Sequence, residues 1–315
     1  MPENRSGRND IKKTGAEMNI ADIQQLPYGA KYDMDVMIAS VDVKQTKAGK
    51  DYLSITVQDM SGNIDIKLWD SFEAFRDGMK PGQIFNITGA VDKPYNGNNQ
   101  IKMQSATIIA SDASGYVGDK NFMPAYIISD DDITFIAKEI DMLESPYREI
   151  CGKLMLDEET WKQFVVCPAA KKHHGNKLGG LLLHTIGVVK SVKSILRNYP
   201  ALVGVVNESR LICCALLHDL MKIKDYVWTT AIDYNSETLC DHRYGILMEL
   251  HKANEEMGNV LSYEEEQTMI YTLLSHHGTF AGGGVDIQPK STEDWILHLA
   301  DMIDSRAVSA IESGK

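Results

Sequence analysis

Long apolar runs are missing from this chain, and a membrane-spanning helix needs about 20 such residues in a row. The polar opening, Met1 to about Asn19, has no apolar core either, so it reads as a tail and not as a secretory signal. The cytoplasm is the default expectation. A basic excess is also missing: 32 Lys and Arg stand against 44 Asp and Glu, a formal charge of -12. That excludes a protein that coats nucleic acid by bulk electrostatics, though not local contacts to a polyanion or contacts through a metal. Cysteine is scarce. Cys151, Cys167, Cys213, Cys214 and Cys240 are odd in number and lack metal-knuckle spacing, which suits buried thiols in a reducing compartment. No repeat or low-complexity tract occurs, only the brief Gly282-Gly283-Gly284 segment.

What is present is a length of 315 residues at 43% hydrophobic and 24% charged, enough for two folded domains. From about Tyr32 to Ile109 the pattern alternates, as in Asp33 to Ile38, Tyr52 to Gln58 and Asn63 to Trp69. Turn signals at Ala48-Gly49-Lys50, Ser61-Gly62-Asn63, Lys80-Pro81-Gly82 and Asn96-Gly97-Asn98 divide the runs. A short helix is expected from Ser71 to Asp77, between the third and fourth strands. Five strands interrupted in this way fit a small closed barrel better than an open sheet. This half resembles the OB-fold of single-stranded nucleic-acid binders. Tyr52, Trp69, Phe72 and Tyr95 offer stacking surfaces, with Lys44, Lys47, Lys50, Lys67 and Lys93 for phosphates. The competing reading places most of these aromatics in the barrel core, with Tyr95 in a polar hairpin the best candidate for exposure.

After a polar, Gly- and Asp-rich stretch the period becomes helical. The expected division is a tail at 1–19, the barrel at 20–112, a linker at 113–129 and an all-α bundle at 130–315. Ile133, Ile136, Ala137, Ile140 and Leu143 form one stripe that Pro146 ends. His184 shares a helix face with Leu181, Val188, Val192 and Ile195. A lone histidine there is more often a core residue with satisfied hydrogen bonds. His218-Asp219 ends an apolar helix carrying Leu211, Ile212, Ala215 and Leu216, capped by Asn207 or Ser209. An inward carboxylate beside an imidazole is costly without a positive partner. A metal ion supplies one, and an Asp-His or Asp-Lys network through Lys222 is the structural alternative. His276-His277 follow the stripe Met269, Ile270, Leu273, Leu274, and Asp301 lies one turn beyond Leu297 on a helix expected from Glu293 to about Ile311. His242 sits in weak periodicity, where a surface role is the competing reading.

The order His184, His218-Asp219, Asp301 resembles the HD superfamily of metal-dependent phosphohydrolases, and His242, His276 and His277 resemble its two-metal branch. More narrowly, the chain resembles YhaM-type 3′–5′ exoribonucleases. The matching residues are Phe164 with Pro168-Ala169-Ala170-Lys171, His173-His174, Gly179-Gly180-Leu181-Leu182, His184-Thr185, Leu217-His218-Asp219-Leu220, Lys222, Ser275-His276-His277-Gly278, Pro289 with Glu293, and His298 with Asp301, Asp304 and Arg306. Members commonly have glycine where this chain has Met221. If that turn needs a left-handed backbone, methionine adds about 1 kcal/mol of strain, or Lys222 is held differently.

The resemblance implies a first ion on His184, His218, Asp219 and Asp301, and a second on Asp219, His242, His276 and His277. A metal-activated water would then attack phosphorus. It gives catalytic roles to Asp219, Lys222 and Arg306. Lys172, His173 and His174 become nucleotide contacts beside Tyr52, Trp69, Tyr95, Lys50, Lys67 and Lys93. Nitrogen and oxygen donors favour Mn²⁺, with Mg²⁺, Fe²⁺, Co²⁺, Ni²⁺ or Zn²⁺ as alternatives. The implied activity is exonucleolytic hydrolysis of single-stranded RNA to nucleoside 5′-monophosphates, with single-stranded DNA a second candidate substrate. Two other readings stand beside it: a small-nucleotide or cyclic-nucleotide phosphodiesterase, and a non-catalytic nucleic-acid-binding module with a residual metal site. Apolar helix faces permit a homo-oligomer without requiring one.

Overall fold

The computed structural model describes residues 18–70, 72–95, 97–113, 121–171, 175–278 and 287–312. They form two compact units. One holds the described residues up to Pro124 with Thr229–Ala231, and the other holds Ala125–Trp228 and the described residues from Ile232 on.

The first unit is a closed five-stranded barrel of order β1-β2-β3-β5-β4, with strands β1 (Lys31–Gln45), β2 (Asp51–Asp59), β3 (Gly62–Leu68), β4 (Ile84–Tyr95) and β5 (Asn98–Ala110). Strand β1 is long enough to serve two neighbours. Its first half pairs with β4 and its second with β2, and a register shift between Ile38 and Ser40 bends it from one to the other. A parallel contact between Ile66 and Ile101 closes the ring. Alternation does the rest: Met34, Val36, Leu53, Ile55, Val57, Ile64, Ile66 and Ile87 point inward and are buried. Helix α1 (Ile20–Ile23) adds Ile20 and Ile23 to this core, and Asp59 accepts a hydrogen bond from the Ile20 amide at 2.9 Å. The short helix expected between β3 and β4 is present as α2 (Glu73–Gly78).

The second unit is helical: α3 (Asp130–Asp141), α4 (Tyr147–Met155), α5 (Glu158–Val166), α6 (Gly180–Asn198), α7 (Glu208–Leu217), α8 (Lys222–Asp225), α9 (His242–Glu256), α10 (Tyr263–Ser275), α11 (Thr292–Met302) and α12 (Ser309–Glu312). A three-residue-per-strand hairpin, β6 (Tyr226–Trp228) and β7 (Ile232–Tyr234), separates α8 from α9. Ser129, Ser262 and Ser291 each cap a helix with an acid three residues on, satisfying amides that the helix leaves open. Gly179 takes the left-handed conformation (φ 80°) that launches α6. The helix expected to run unbroken from Glu293 to Ile311 instead passes through a π-helical segment at Ile303–Val308. Among the described residues no helix is long and apolar enough to cross a membrane, and the cysteines are free, with four of the five buried.

Candidate metal centre

Helix α7 ends at Leu217, and His218 caps it while still in the right-handed region. Its Nδ1 donates to the carbonyl of Ala215 at 2.8 Å, filling one of the acceptors a helix end leaves open. Helix α10 ends the same way. His276 caps it, with Nδ1 on the Leu273 carbonyl at 2.5 Å. In both, the bond fixes the ring and turns Nε2 inward. The other two rings are fixed by acids. His184, in the second turn of α6, gives Nδ1 to Asp304 Oδ2 at 2.7 Å, and His242, first residue of α9, gives Nδ1 to Asp225 Oδ2 at 2.7 Å.

The four Nε2 atoms converge on Asp219, whose two oxygens divide them, and those of His184 and His218 lie within hydrogen-bonding distance of each other at 3.1 Å. Oδ2 lies 3.3 Å from His184 Nε2 and 3.4 Å from His218 Nε2. Oδ1 lies 3.4 Å from His242 Nε2 and 3.8 Å from His276 Nε2. Asp301 stands 3.4 Å from His184 Nε2 through Oδ1 and 3.9 Å from His277 Nδ1 through Oδ2. Two groups of ligating atoms result, each gathered within 4.8 Å: His184, His218 and Asp301, and Asp219, His242, His276 and His277.

Three atoms of the second group, Asp219 Oδ1, His242 Nε2 and His276 Nε2, are buried and have no hydrogen-bond partner among the described residues. A buried polar atom left this way costs about 1–3 kcal/mol, so three facing one another fit a divalent cation between them. Protonation agrees. Burial lowers His218, takes His276 well below the usual imidazole range and brings His277 to about 4, against the partial pull of Asp219 and Asp301. These rings are therefore neutral donors at neutral pH, the form a metal requires. Burial works downward on His184 too, but hydrogen bonds to Asp219, Asp301 and Asp304 outweigh it and hold this ring well above its usual value. Burial would raise Asp219, yet Lys222 and the surrounding imidazoles keep it ionised. Positive charge is what the cluster selects.

Lys222 sits 2.6 Å from Asp219 Oδ2 with its side chain 13% exposed. Met221 needs no strained backbone: φ is −73° in the right-handed region. A methionine needs no left-handed turn there, and its side chain packs against Gly245. Arg306 is exposed on the π-helical segment, outside both groups of ligating atoms. Lys172, His173 and His174 lie outside the described residues. Asp225 was not legible as part of the site, since it belongs to no periodic face and finds His242 only through the hairpin between them. His298 donates from Nδ1 to the His276 carbonyl at 2.7 Å and so braces the histidine doublet. Glu293, at the start of α11, accepts Arg210 at 2.7 Å and the Asn207 amide at 2.9 Å, tying the start of α7 to the helix that carries Asp301.

On the barrel, Tyr52 and Trp69 lie side by side with ring centroids 4.7 Å apart. Trp69 is 45% and Tyr95 64% exposed. Lys67 Nζ stands 5.8 Å from the Tyr95 ring, and Lys50 pairs with Asp70 at 2.8 Å. Lys93 is exposed near the end of β4, whereas Phe72 packs against the barrel core.

Fold and site together define an OB-fold joined to a metal-dependent phosphohydrolase of the HD type. Residues 36–109 match the family model of the OB-fold nucleic acid binding domain, and residues 181–306 match that of the HD domain. The chain is 28% identical over 281 residues to a 3′–5′ exoribonuclease YhaM of Bacillus pumilus (strain SAFR-032), spanning 88% of this chain and 86% of that one. It is 29% identical over 284 residues to the YhaM of Listeria monocytogenes serovar 1/2a, with the same two coverages of 88% and 86%. The chain thus carries an OB-fold nucleic acid binding domain and an HD domain, and it is similar to YhaM-type 3′–5′ exoribonucleases over most of its length. Among solved structures, an aspartyl tRNA synthetase from Entamoeba histolytica aligns over 86% of this chain and 60% of its own at 10% identity and a TM-score of 0.27.

Proposed function

We propose that this chain shortens single-stranded RNA from its 3′ end by metal-dependent hydrolysis, releasing nucleoside 5′-monophosphates, with single-stranded DNA as a second substrate. The observation that carries the reading is the division of Asp219, one oxygen toward each group of imidazoles. Relatives named for this activity match over 88% of the chain, and an OB-type barrel precedes the helical unit.

His184, His218, Asp219 and Asp301 would hold one ion, and Asp219, His242, His276 and His277 a second. We assign Mn²⁺, because every donor is nitrogen or oxygen and no thiolate is among them. Bound there, such ions lower the pKa of a water and polarise a phosphoryl oxygen. The chain's own groups do the rest. Asp304 and Asp225 keep protons on the Nδ1 atoms of His184 and His242, so that Nε2 stays a donor of electrons. Lys222 keeps its ammonium at the edge of the cluster, where charge grows on phosphate. Arg306 is assigned to a neighbouring phosphate. Lys172, His173 and His174 are assigned to nucleotide contacts, and Tyr52, Trp69, Tyr95, Lys50, Lys67 and Lys93 to the strand.

The test uses 5′-labelled single-stranded RNA, the same sequence as DNA, duplexes and cyclic nucleotides. Stepwise shortening that stops with a chelator and in Asp219→Asn is expected. Turnover confined to small nucleotides would establish the phosphodiesterase reading instead. Equal background in both forms would leave a binding module.

A further inference from the structure

Helix α8 runs from Lys222 directly into the β6–β7 hairpin, whose aromatic residues have no part in the ligand set. Two-stranded hairpins are marginal by themselves, and this one is pinned at its root. The Asp225 carbonyl accepts the Asn235 amide at 2.8 Å while its side chain holds His242. Tyr226 and Tyr234 are register partners across the hairpin, with ring centroids 5.5 Å apart and planes 30° apart. Tyr226 is half-buried, but Tyr234 remains 64% exposed. Lys171, just beyond the end of α5, places Nζ 5.4 Å from the Tyr234 ring centroid and 2.5 Å from Asp233 Oδ1.

Tyr226 follows Asp225 directly in the chain, so the pair starts one residue from the carboxylate that holds His242. Burial pushes the Tyr226 hydroxyl up to about 12, so it remains a donor at neutral pH. A ring left largely in water, with an ammonium over its face and a polar neighbour beside it, has the composition of a nucleotide-binding platform.

We propose that Tyr226, Tyr234 and Lys171 form a nucleobase subsite beside the metal cluster, with Tyr234 stacking the base of the terminal nucleotide and Lys171 meeting a phosphate in place of Asp233. Every base has a π face, so such a platform tolerates sequence, as removal of successive nucleotides requires. That the nucleotide is the strand's terminal one rests on the exonuclease reading, whereas recognition of a base on Tyr234 does not.

The full chain with Mn²⁺ is titrated calorimetrically with adenosine 5′-monophosphate and with ribose 5-phosphate, which lacks the base. The nucleotide is expected to bind roughly tenfold tighter or more. Tyr234→Phe should keep that ratio, and Tyr234→Leu, which preserves apolar bulk without a flat ring, should bring it close to one. Equal binding of the two ligands by the wild type, or an unchanged ratio in Tyr234→Leu, overturns the subsite. If Tyr234→Leu loses Mn²⁺ and with it the fold, Lys171→Gln decides: both phosphates should bind more weakly and adenosine unchanged, and unaltered phosphate binding refutes the proposal. A wild type that never shortens RNA sinks the exonuclease reading separately, whatever the calorimetry gives.

Discussion

Asp225 accepts a hydrogen bond from His242 Nδ1 at 2.7 Å, and the same ring presents Nε2 to Asp219 Oδ1 at 3.4 Å. The carboxylate thus sets both the tautomer and the aim of this candidate ligand. Asp225→Ala should weaken one ion and spare the other. Equilibrium dialysis with Mn²⁺ is expected to show the weaker site losing about 10- to 100-fold in affinity. Two sites retained at wild-type affinity would remove Asp225 from the metal centre.

Gly187 provides a second test, because helix α6 brings it directly beneath Asp304. A Cβ placed there would overlap Asp304 Oδ1. Replacing a helix-interior glycine by alanine ordinarily stabilises by about 0.5–1 kcal/mol. Here the methyl must push Asp304 away from His184 Nδ1, so Gly187→Ala is expected to cost about 10- to 100-fold at the His184 ion. A variant more stable than the wild type to heat, with unchanged Mn²⁺ affinity, would show that the acid can shift without releasing the histidine.

Periodicity made much of this centre readable. His184 and Asp301 lie on apolar helix faces, and His218 and His276 follow stripes that fix where α7 and α10 end, so their direction was legible from spacing. His242 was not. It opens α9 after a hairpin, and what orients it is Asp225, 17 residues earlier in sequence. Side-chain periodicity does not encode a contact between a helix end and a loop. The π-helical segment at Ile303–Val308 was equally invisible, because the apolar spacing up to Leu297 and Asp301 carries no signal of a change in helix type beyond them. Met221 shows the reverse case. A family glycine left open either strain or a different turn, and the backbone at φ −73° is a turn that carries any residue.

Acid should destabilise the metal-free protein through His277. Burial lowers its folded pKa to about 4 from the usual 6.5 of an imidazole. Above 6.5 both folded and unfolded rings are neutral, and the stability is fully present. Between 6.5 and about 4 only the unfolded ring takes a proton, so stability falls with pH through that window. Urea midpoints measured with chelator at pH 7 and pH 5 should drop further for the wild type than for His277→Asn, by up to about 2 kcal/mol. Equal drops would mean that His277 titrates normally in the folded chain.

On the barrel, stacking and charge make separable predictions. Trp69 is half exposed against Tyr52, and stacking of a base on it is expected to survive high salt. Lys50 is spent on Asp70 in an exposed pair worth at most about 1 kcal/mol, which a phosphate can displace. In chelator, with turnover blocked, Trp69→Ala should weaken binding of a single-stranded RNA by about 1–3 kcal/mol and leave the salt slope unchanged. Lys50→Gln should cost less at high salt and reduce the slope of log K against log salt by about 0.7. If Trp69→Ala binds as tightly as the wild type, the Tyr52–Trp69 pair is barrel packing. A change of slope in Trp69→Ala would instead mean that removing the ring has moved the neighbouring lysines, leaving Tyr95 with Lys67 as the remaining stacking surface to test.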